Sequence, residues 1–317
     1  MRRLIPALAL LAGPLAAQNS QCIPLSSTDG SRRRCDAAID FVRAYHPLAG
    51  LAVAGGNPVL GSGGATGRLW SFSVTLRVNG FSLSVPDFSN VSSGGAVPED
   101  DEILAPAPVI EANVGLFRGL DSGLLALDLL AAAQLVPNED IADGIRVDPD
   151  AARVGPVALG LGFGARIGVL AERDLMPALA VSVMRRTVPR VGYGDLDAGD
   201  EVAADVDLRA TTLRVTAGKR LAIVTVAAGF GWSRYTGDAL AAYDAGTGPG
   251  ESGTIGLDLD QTRALYFLDA GLDFGLVRIV GEIGYQRGRD QGLGTTFTGY
   301  DDTSGTTFYG IGLRMGL

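Results

Sequence analysis

Past its first seventeen residues this sequence has no run of about eighteen uncharged apolar residues, which excludes a membrane-crossing helix there. Basic residues are in the minority, 26 Lys and Arg against 35 Asp and Glu, and the net charge of −9 argues against a nucleic-acid partner. Histidine is scarcer still, because His46 stands alone in 317 residues. Chemistry that activates a serine or cysteine through an imidazole has only this residue to use. It sits beside Pro47, where an ordinary polar residue at a strand entry is the simpler reading, so we expect no enzyme. No calcium-loop repeat is present. Gly160-Leu161-Gly162-Phe163-Gly164 is followed by no helix and so fails the context that a dinucleotide-binding loop needs. We expect no cofactor and no metal site.

The start of the chain has the form of an export signal. Arg2 and Arg3 precede an apolar stretch over residues 4–15, and Leu15-Ala16-Ala17 offers a cleavage site before Gln18. Only two cysteines follow, Cys22 and Cys35, and in an oxidising compartment they are expected to form one disulfide. A lipid anchor on Cys22 fits poorly with Gln21 before it and with its distance from the apolar stretch. An exported chain without a membrane helix is either soluble or a closed barrel, the one other structure that spans a bilayer.

Alternation decides between them. Tyr309, Ile311, Leu313, Met315 and Leu317 share one parity, while Phe308, Gly310, Gly312, Arg314 and Gly316 share the other. Residues 157–169 and 69–79 repeat the pattern, the latter with Trp70, Phe72, Val74, Leu76 and Val78 against Ser71, Ser73, Thr75, Arg77 and Asn79. Period two is a strand signal. The second parity is rich in glycine, alanine and serine with isolated charges, which suits a crowded lumen better than open solvent.

Extended along the chain, this predicts strands at 48–54, 67–78, 81–88, 108–117, 123–135, 155–170, 177–187, 204–217, 221–235, 261–274, 276–287 and 306–317. The strand at 204–217 would need a bulge near Thr211-Thr212 to keep Arg209 and Arg214 off the lipid face. Asn79-Gly80 reads as a tight hairpin turn. Connections then alternate long and short, the sorting of an outer-membrane barrel with short periplasmic turns and long outer loops. The expected fold is an all-β, transmembrane, antiparallel up-and-down β-barrel of about 12 strands with a short N-terminal helical segment. Residues 1–17 are the signal, residues 18–46 an N-terminal periplasmic segment with the disulfide and a helix near 36–45, and residues 47–317 the barrel. Localisation is the bacterial outer membrane with both termini periplasmic.

The last strand resembles the assembly signal of outer-membrane proteins, with Leu317 in place of the usual terminal aromatic. The wider layout resembles the long-chain fatty-acid transporter type of outer-membrane barrel and its shorter relatives. Ala44-Tyr45-His46-Pro47-Leu48 and the Gly/Ala-rich stretch after it carry that resemblance. It implies a barrel and an outer-membrane setting, with outer-membrane lipid and the outer-membrane assembly machinery as partners. Transporters of that type have more strands and a longer hatch, so no substrate is implied.

Charges at inward parity are the candidate lumen residues: Arg77, Glu111, Asp128, Arg166, Arg263, Asp269, Arg278, Glu282 and Arg314. They either line a selective path or form a salt-bridged plug. A tight turn at Gly275 sets Tyr266 against Tyr285 outside and Asp269 against Glu282 inside, a like-charge pair that needs a cation. Arg314 and Arg278 are the candidates for it. Acidic groups at Glu99, Asp100, Asp101 and Glu102, and at Asp195, Asp197, Asp200, Glu201, Asp205 and Asp207, read as solvated loop charge. The expected function is a pore or binding channel for passive uptake of small molecules, hydrophobic ones among them. The alternatives are a structural or surface-interaction barrel without transport, or an enzyme acting on outer-membrane lipid.

Overall fold

The computed structural model describes residues 19–26, 28–120, 124–137, 145–246, 248 and 251–316; the expected signal at 1–17 lies outside them. Ten long strands make the wall: β1 (Phe72–Pro86), β2 (Glu99–Phe117), β3 (Leu127–Pro137), β4 (Val157–Leu170), β5 (Ala178–Tyr193), β6 (Val202–Leu221), β7 (Val224–Asp244), β8 (Ser252–Asp273), β9 (Val277–Gln286) and β10 (Thr306–Gly316). Each pairs antiparallel with its neighbour, and β10 pairs with β1, so the sheet closes on itself. Two short strands, Ile145–Val147 and Arg153–Val154, bond to β5 and β4 outside the ring and bring the sheet to twelve.

Two segments differ from the sequence reading. Residues 48–54 are the end of a helix, α1 (Asp29–Ala54), which starts well before residue 36. A short apolar run does not distinguish strand from helix by periodicity, and residues 48–54 carry no polar side chain on any face, although Ala49 is exposed. Asn79-Gly80 is not a turn. Gly80 pairs with both Tyr309 and Pro106, and β1 runs straight through because both of its flanks find one long partner in β2. The two differences leave the strand count even and the loop sorting intact. The bulge lies in β5 between Val188 and Val191 rather than at Thr211-Thr212. Arg209 stays outward, 3.6 Å from Asp238, while Arg214 turns inward.

The exterior is apolar. Leu76, Leu129, Phe163, Ile167, Leu213, Ile279, Ile283, Ile311 and Leu313 are all exposed on outward positions. Such a surface could not face water over so large an area; it is the lipid-facing belt of a membrane barrel. Trp70 marks its short-turn end, and Phe230, Trp232, Tyr266, Tyr285 and Tyr309 band its upper part. Just above that band the outer face of β6–β8 turns charged, with Arg234 bound to Asp260 at 2.9 Å. The ten residues of β9, at about 3.3 Å each and tilted by about 40°, rise about 25 Å, the height of a bilayer's apolar layer.

The lumen is filled. Thr28 caps α1 in a reciprocal pair with Ser31, and Cys22 and Cys35 form the expected disulfide beside this first turn. The helix starts at the long-loop mouth, where Arg34 binds Glu201 through two bonds of 2.9 Å and Tyr243 donates to Leu25 O. It then descends between the strands. Residues 55–71 cross the floor of the barrel to the start of β1. There Gly63 lies against Gly218 so closely that a Cβ on it would sit 2.0 Å from the Gly218 nitrogen, which admits only glycine. The described N-terminal residues therefore lie at the long-loop mouth, and Gly316 lies at the short-turn mouth beside Leu276. This corrects the expectation that the segment before residue 46 sits with the C-terminus at one mouth.

The belt makes a testable distinction. Ile311→Arg places charge at mid-height and should cost about 2–4 kcal/mol of folding free energy, whereas Leu240→Arg, above the aromatic band, should cost less than about 1. Urea titration in detergent, read by heat-modifiable migration, checks this. Equal losses would show the belt to be misplaced.

Candidate functional site

A helix end leaves its last carbonyls without partners, and an irregular segment inside a barrel leaves more. Here the wall supplies them residue by residue. Arg186 donates to Val53 O, Arg214 to Ala54 O at 2.9 Å and Gly56 O at 3.2 Å, and Arg77 to Gly55 O at 3.3 Å and Asn57 O at 2.8 Å. Further down, Arg314 reaches Leu60 O at 3.3 Å, Arg278 reaches Gly61 O at 3.4 Å, and Arg166 reaches Ser62 O at 2.6 Å. Carboxylates take the amides in turn. Asn57 N donates to Glu282 at 2.7 Å, Gly61 N to Asp269 at 3.0 Å, and Thr66 N to Asp128 at 2.8 Å. Charge-assisted bonds of this kind are about twice as strong as neutral ones.

The charges are also joined to one another. Buried Arg77 lies 2.9 Å from Glu282 and 3.5 Å from Glu111, and Arg186 lies 2.7 Å from Glu111. Asp269 and Glu282 stand opposite in the β8–β9 ladder, as Tyr266 and Tyr285 do outside. The cation that relieves them is Arg77, with the Asn57 amide on Asp269 at 2.6 Å. It is neither Arg314 nor Arg278, for Arg278 is committed to Asp273 at 2.7 Å and Arg314 bonds Ser73 at 3.0 Å. Arg77 could not be read as the partner from the residues, because β1 and β9 become flanks of the same strand, β10, only when the barrel closes, and the two charges meet over its Gly310 and Gly312.

All nine inward-parity residues lie on the inner face. Eight of them hold the filling segment or the network behind it. Arg263 lies apart, nearer the long-loop mouth, bonded to Gln261 at 3.0 Å. Arg186 and Arg214 belong to the set and were missed. Their signal was present in the alternation, since Arg186 shares parity with Ser182 and Met184, and Arg214 with Thr212 and Thr216. His46 is buried edge-on to Tyr235 and has no hydrogen-bond partner on either ring nitrogen among the described residues. The acidic group at 195–207, which runs from a loop into the start of β6, is partly ion-paired, through Glu201 with Arg34, Asp195 and Asp205 with Arg146, and Asp207 with Arg190.

Two cavities flank the filling. The first, about 390 Å³, opens through the wall. β10 begins at Thr306 and pairs with β1 only as far as Gly80, so Phe81–Pro86 have no partner on that side. The slot so formed is bounded by Ser82, Leu83, Thr306, Tyr309 and Tyr300 and reaches Leu48 of α1. Leu48 belongs to an apolar cluster with Leu51, Phe81, Leu265, Phe267 and Phe308. Tyr300 stacks on Tyr45 at 5.7 Å and donates to Ala44 O. Burial pushes its phenol up to about 12. The hydroxyls of Thr303 and Ser304 hold Asp301, at the rim, down at about 2. The second cavity, about 890 Å³, is a vestibule at the short-turn mouth beneath residues 61–68.

No family model and no curated protein matches the sequence. Among solved structures the chain is similar to the outer-membrane protease OmpT of Escherichia coli, at 12% identity over 78% of this chain and 97% of that one, with a TM-score of 0.39. It is similar to a ΔS2S3 variant of the monoaromatic hydrocarbon channel TodX, at 14% identity over 83% and 72%, with a TM-score of 0.31. The Ralstonia pickettii toluene transporter TbuX gives 12% identity over 84% and 76%, with a TM-score of 0.28. Similarity at this level carries no substrate or activity across.

The clamp predicts specific coupling. Arg77→Met should destabilise the barrel by about 3–5 kcal/mol by stranding two buried carboxylates. In the double variant with Glu282→Gln, about 1–3 kcal/mol should return. Arg314→Ala with Glu282→Gln should be additive to within about 0.5 kcal/mol. Denaturant titration of the three single variants and the two doubles checks both statements.

Proposed function

We propose that this chain is an outer-membrane barrel for the binding and passive uptake of small, largely apolar molecules. On this reading the molecules enter through the wall slot between β1 and β10. The observation that carries the proposal is the slot itself. It breaches the wall where β10 is short and leads from the lipid-facing surface to the apolar cluster around Leu48. The slot's rim is polar, with Ser82, Ser84, Glu99, Glu102, Asp301 and Thr306, so an apolar molecule gains only at the inner end, where burial against the cluster is worth about 25 cal/mol per Å² relative to water. Beyond the cluster the path meets the clamped segment, so passage to the short-turn side requires that segment to shift. The short turns face the periplasm in this orientation, with the C-terminal strand closing the barrel there and the long acidic loops outside. No reacting group is assigned, and the partners are outer-membrane lipid and the assembly machinery that inserts such barrels.

One observation favours a barrel without transport. The filling is bonded at nearly every carbonyl from Val53 to Ser62, as a permanent brace would be. Transport separates the two readings. With N-phenyl-1-naphthylamine as fluorescent probe, proteoliposomes of the intact chain should take it up faster than empty vesicles. Ser82→Trp, which fills the slot, should slow uptake about tenfold or more while leaving heat-modifiable migration unchanged. Uptake equal to that of empty vesicles would favour the brace, and uptake indifferent to Ser82→Trp would remove the slot from the route.

The slot's charge state fixes a second outcome. Tyr300, raised to about 12, stays neutral below that value, and Asp301, lowered to about 2, stays ionised above it. Both groups therefore hold one state throughout the neutral range, and probe uptake should be flat from about pH 6 to about pH 9. A sigmoidal change inside that window would place a titrating group on the route.

A further inference from the structure

The vestibule at the short-turn mouth is cationic in an acidic chain. Five cationic side chains line it, Arg68, Lys219, Arg220, Arg278 and Arg314, against the carboxylates of Glu172 and Asp273. Those two are already occupied. Asp273 receives Arg278 at 2.7 Å and lies 3.4 Å from Arg220, and its other oxygen takes the Gly275 amide. Glu172 takes the backbone amide of Arg220. Lys219 donates to a neutral carbonyl, that of Arg173, at 2.8 Å. Arg314 has only neutral acceptors, Ser73 Oγ and Leu60 O. Among the described residues, neither Arg314 nor Arg68 has a carboxylate partner.

Arg278 and Arg314 also stand directly opposite in the β9–β10 ladder. Like charges facing across a ladder are unfavourable, and Asp273 compensates only one of them. Arg278 further carries a buried Nε without a hydrogen-bond partner. Two adjacent guanidinium groups with excess charge and spare donors, facing a cavity, present the geometry that binds a carboxylate or phosphate. Their contacts with the floor segment, at 3.3 and 3.4 Å, are among the longest in the clamp, so each group can turn toward a ligand at small loss. The rest of the inward lining is small, glycine and alanine with Ser73, Asn113 and Thr225, while Phe72 and Val226 at its rim turn outward. At about 890 Å³ the space exceeds what an inorganic ion fills and lies in the range of small-molecule sites.

We propose that this vestibule binds a small organic anion, its acid group held between Arg278 and Arg314 and its body in the remaining space of the cavity. The site lies at the opposite end of the lumen from the wall slot and does not depend on it.

Calorimetry on the intact chain in non-ionic detergent tests the proposal, with benzoate, phenyl phosphate, benzamide and inorganic phosphate as probes. Benzoate and phenyl phosphate should bind at one site, at least tenfold more tightly than benzamide, and should weaken as sodium chloride is added. Arg314→Gln should lower benzoate affinity ten- to a hundredfold, Arg314→Lys should restore part of it, and Arg209→Gln, on the outer wall, should leave it unchanged. Lys219→Gln keeps the test open should the Arg314 variants fail to fold, and it should lower affinity two- to fivefold. Equal affinity for benzoate and benzamide, or benzoate affinity indifferent to both Arg314→Gln and Lys219→Gln, would overturn the site. Inorganic phosphate binding as tightly as phenyl phosphate would overturn the organic body. Displacement of benzoate by phosphatidylglycerol doped into the micelles would assign the guanidinium pair to a lipid headgroup and overturn the soluble ligand.

Discussion

A barrel lumen that is filled by the chain's own backbone must satisfy every peptide group it encloses. The wall bonds in its ladders are already complete, so only side chains can serve the filling. In this protein arginine serves the carbonyls, while Asp and Glu serve the amides. The choice follows from geometry. A strand wall several ångströms from the enclosed backbone needs a long side chain to reach it, and a guanidinium offers five donors in a fixed fork, so Arg77 and Arg214 each hold two carbonyls at once. Carboxylates on shorter stems then neutralise the arginines and take the amides that the same segment presents. The helix, the floor segment and the inner wall are thus one electrostatic unit, and the alternation of the strands is what puts its members on one face.

That dependence explains what could and could not be read from the residues. The alternation is a local property, so wall and parity were legible, as was the Asp269–Glu282 register, which a tight turn at Gly275 fixes within one hairpin. The disulfide was legible because only two cysteines exist. Long-range pairings were not. Arg77 meets Glu282 only because β10 closes onto β1, and Arg186 meets Glu111 across the lumen. Residues 48–54 misled for a related reason. They carry no polar side chain on any face, and without one a helix and a strand of small apolar residues look alike. Asn79-Gly80 misled because turn chemistry is a local preference, and the two flanks had a better common partner in β2.

The wall is also uneven, and the unevenness divides the molecule by chemistry. Strands β6 to β8 rise above the aromatic band into a charged zone, while β9 and β10 stop at it. The loop between those short strands folds inward, with the amides of Gly294 and Thr295 on Asp40 and Tyr300 over Tyr45, and so covers the helix where the wall does not. Above the clamp the interior is aromatic and aliphatic. Below it the vestibule is lined by arginine, lysine and glycine.

The clamp therefore separates an apolar compartment from a cationic one, and its strength is not uniform along its length. Arg77 and Arg186, at mid-height, hold the segment through buried groups that also bond Glu282 and Glu111, and breaking one such bond strands the others. Arg278 and Arg314, at the floor, hold Gly61 and Leu60 through longer single bonds, and both already face a cavity. Any opening that keeps the barrel folded must begin where fewest charges lose a partner. The floor does not escape that cost, for lifting residues 60–66 would also take Ser62 O from Arg166 at 2.6 Å, Gly61 N from Asp269 at 3.0 Å and Thr66 N from Asp128 at 2.8 Å.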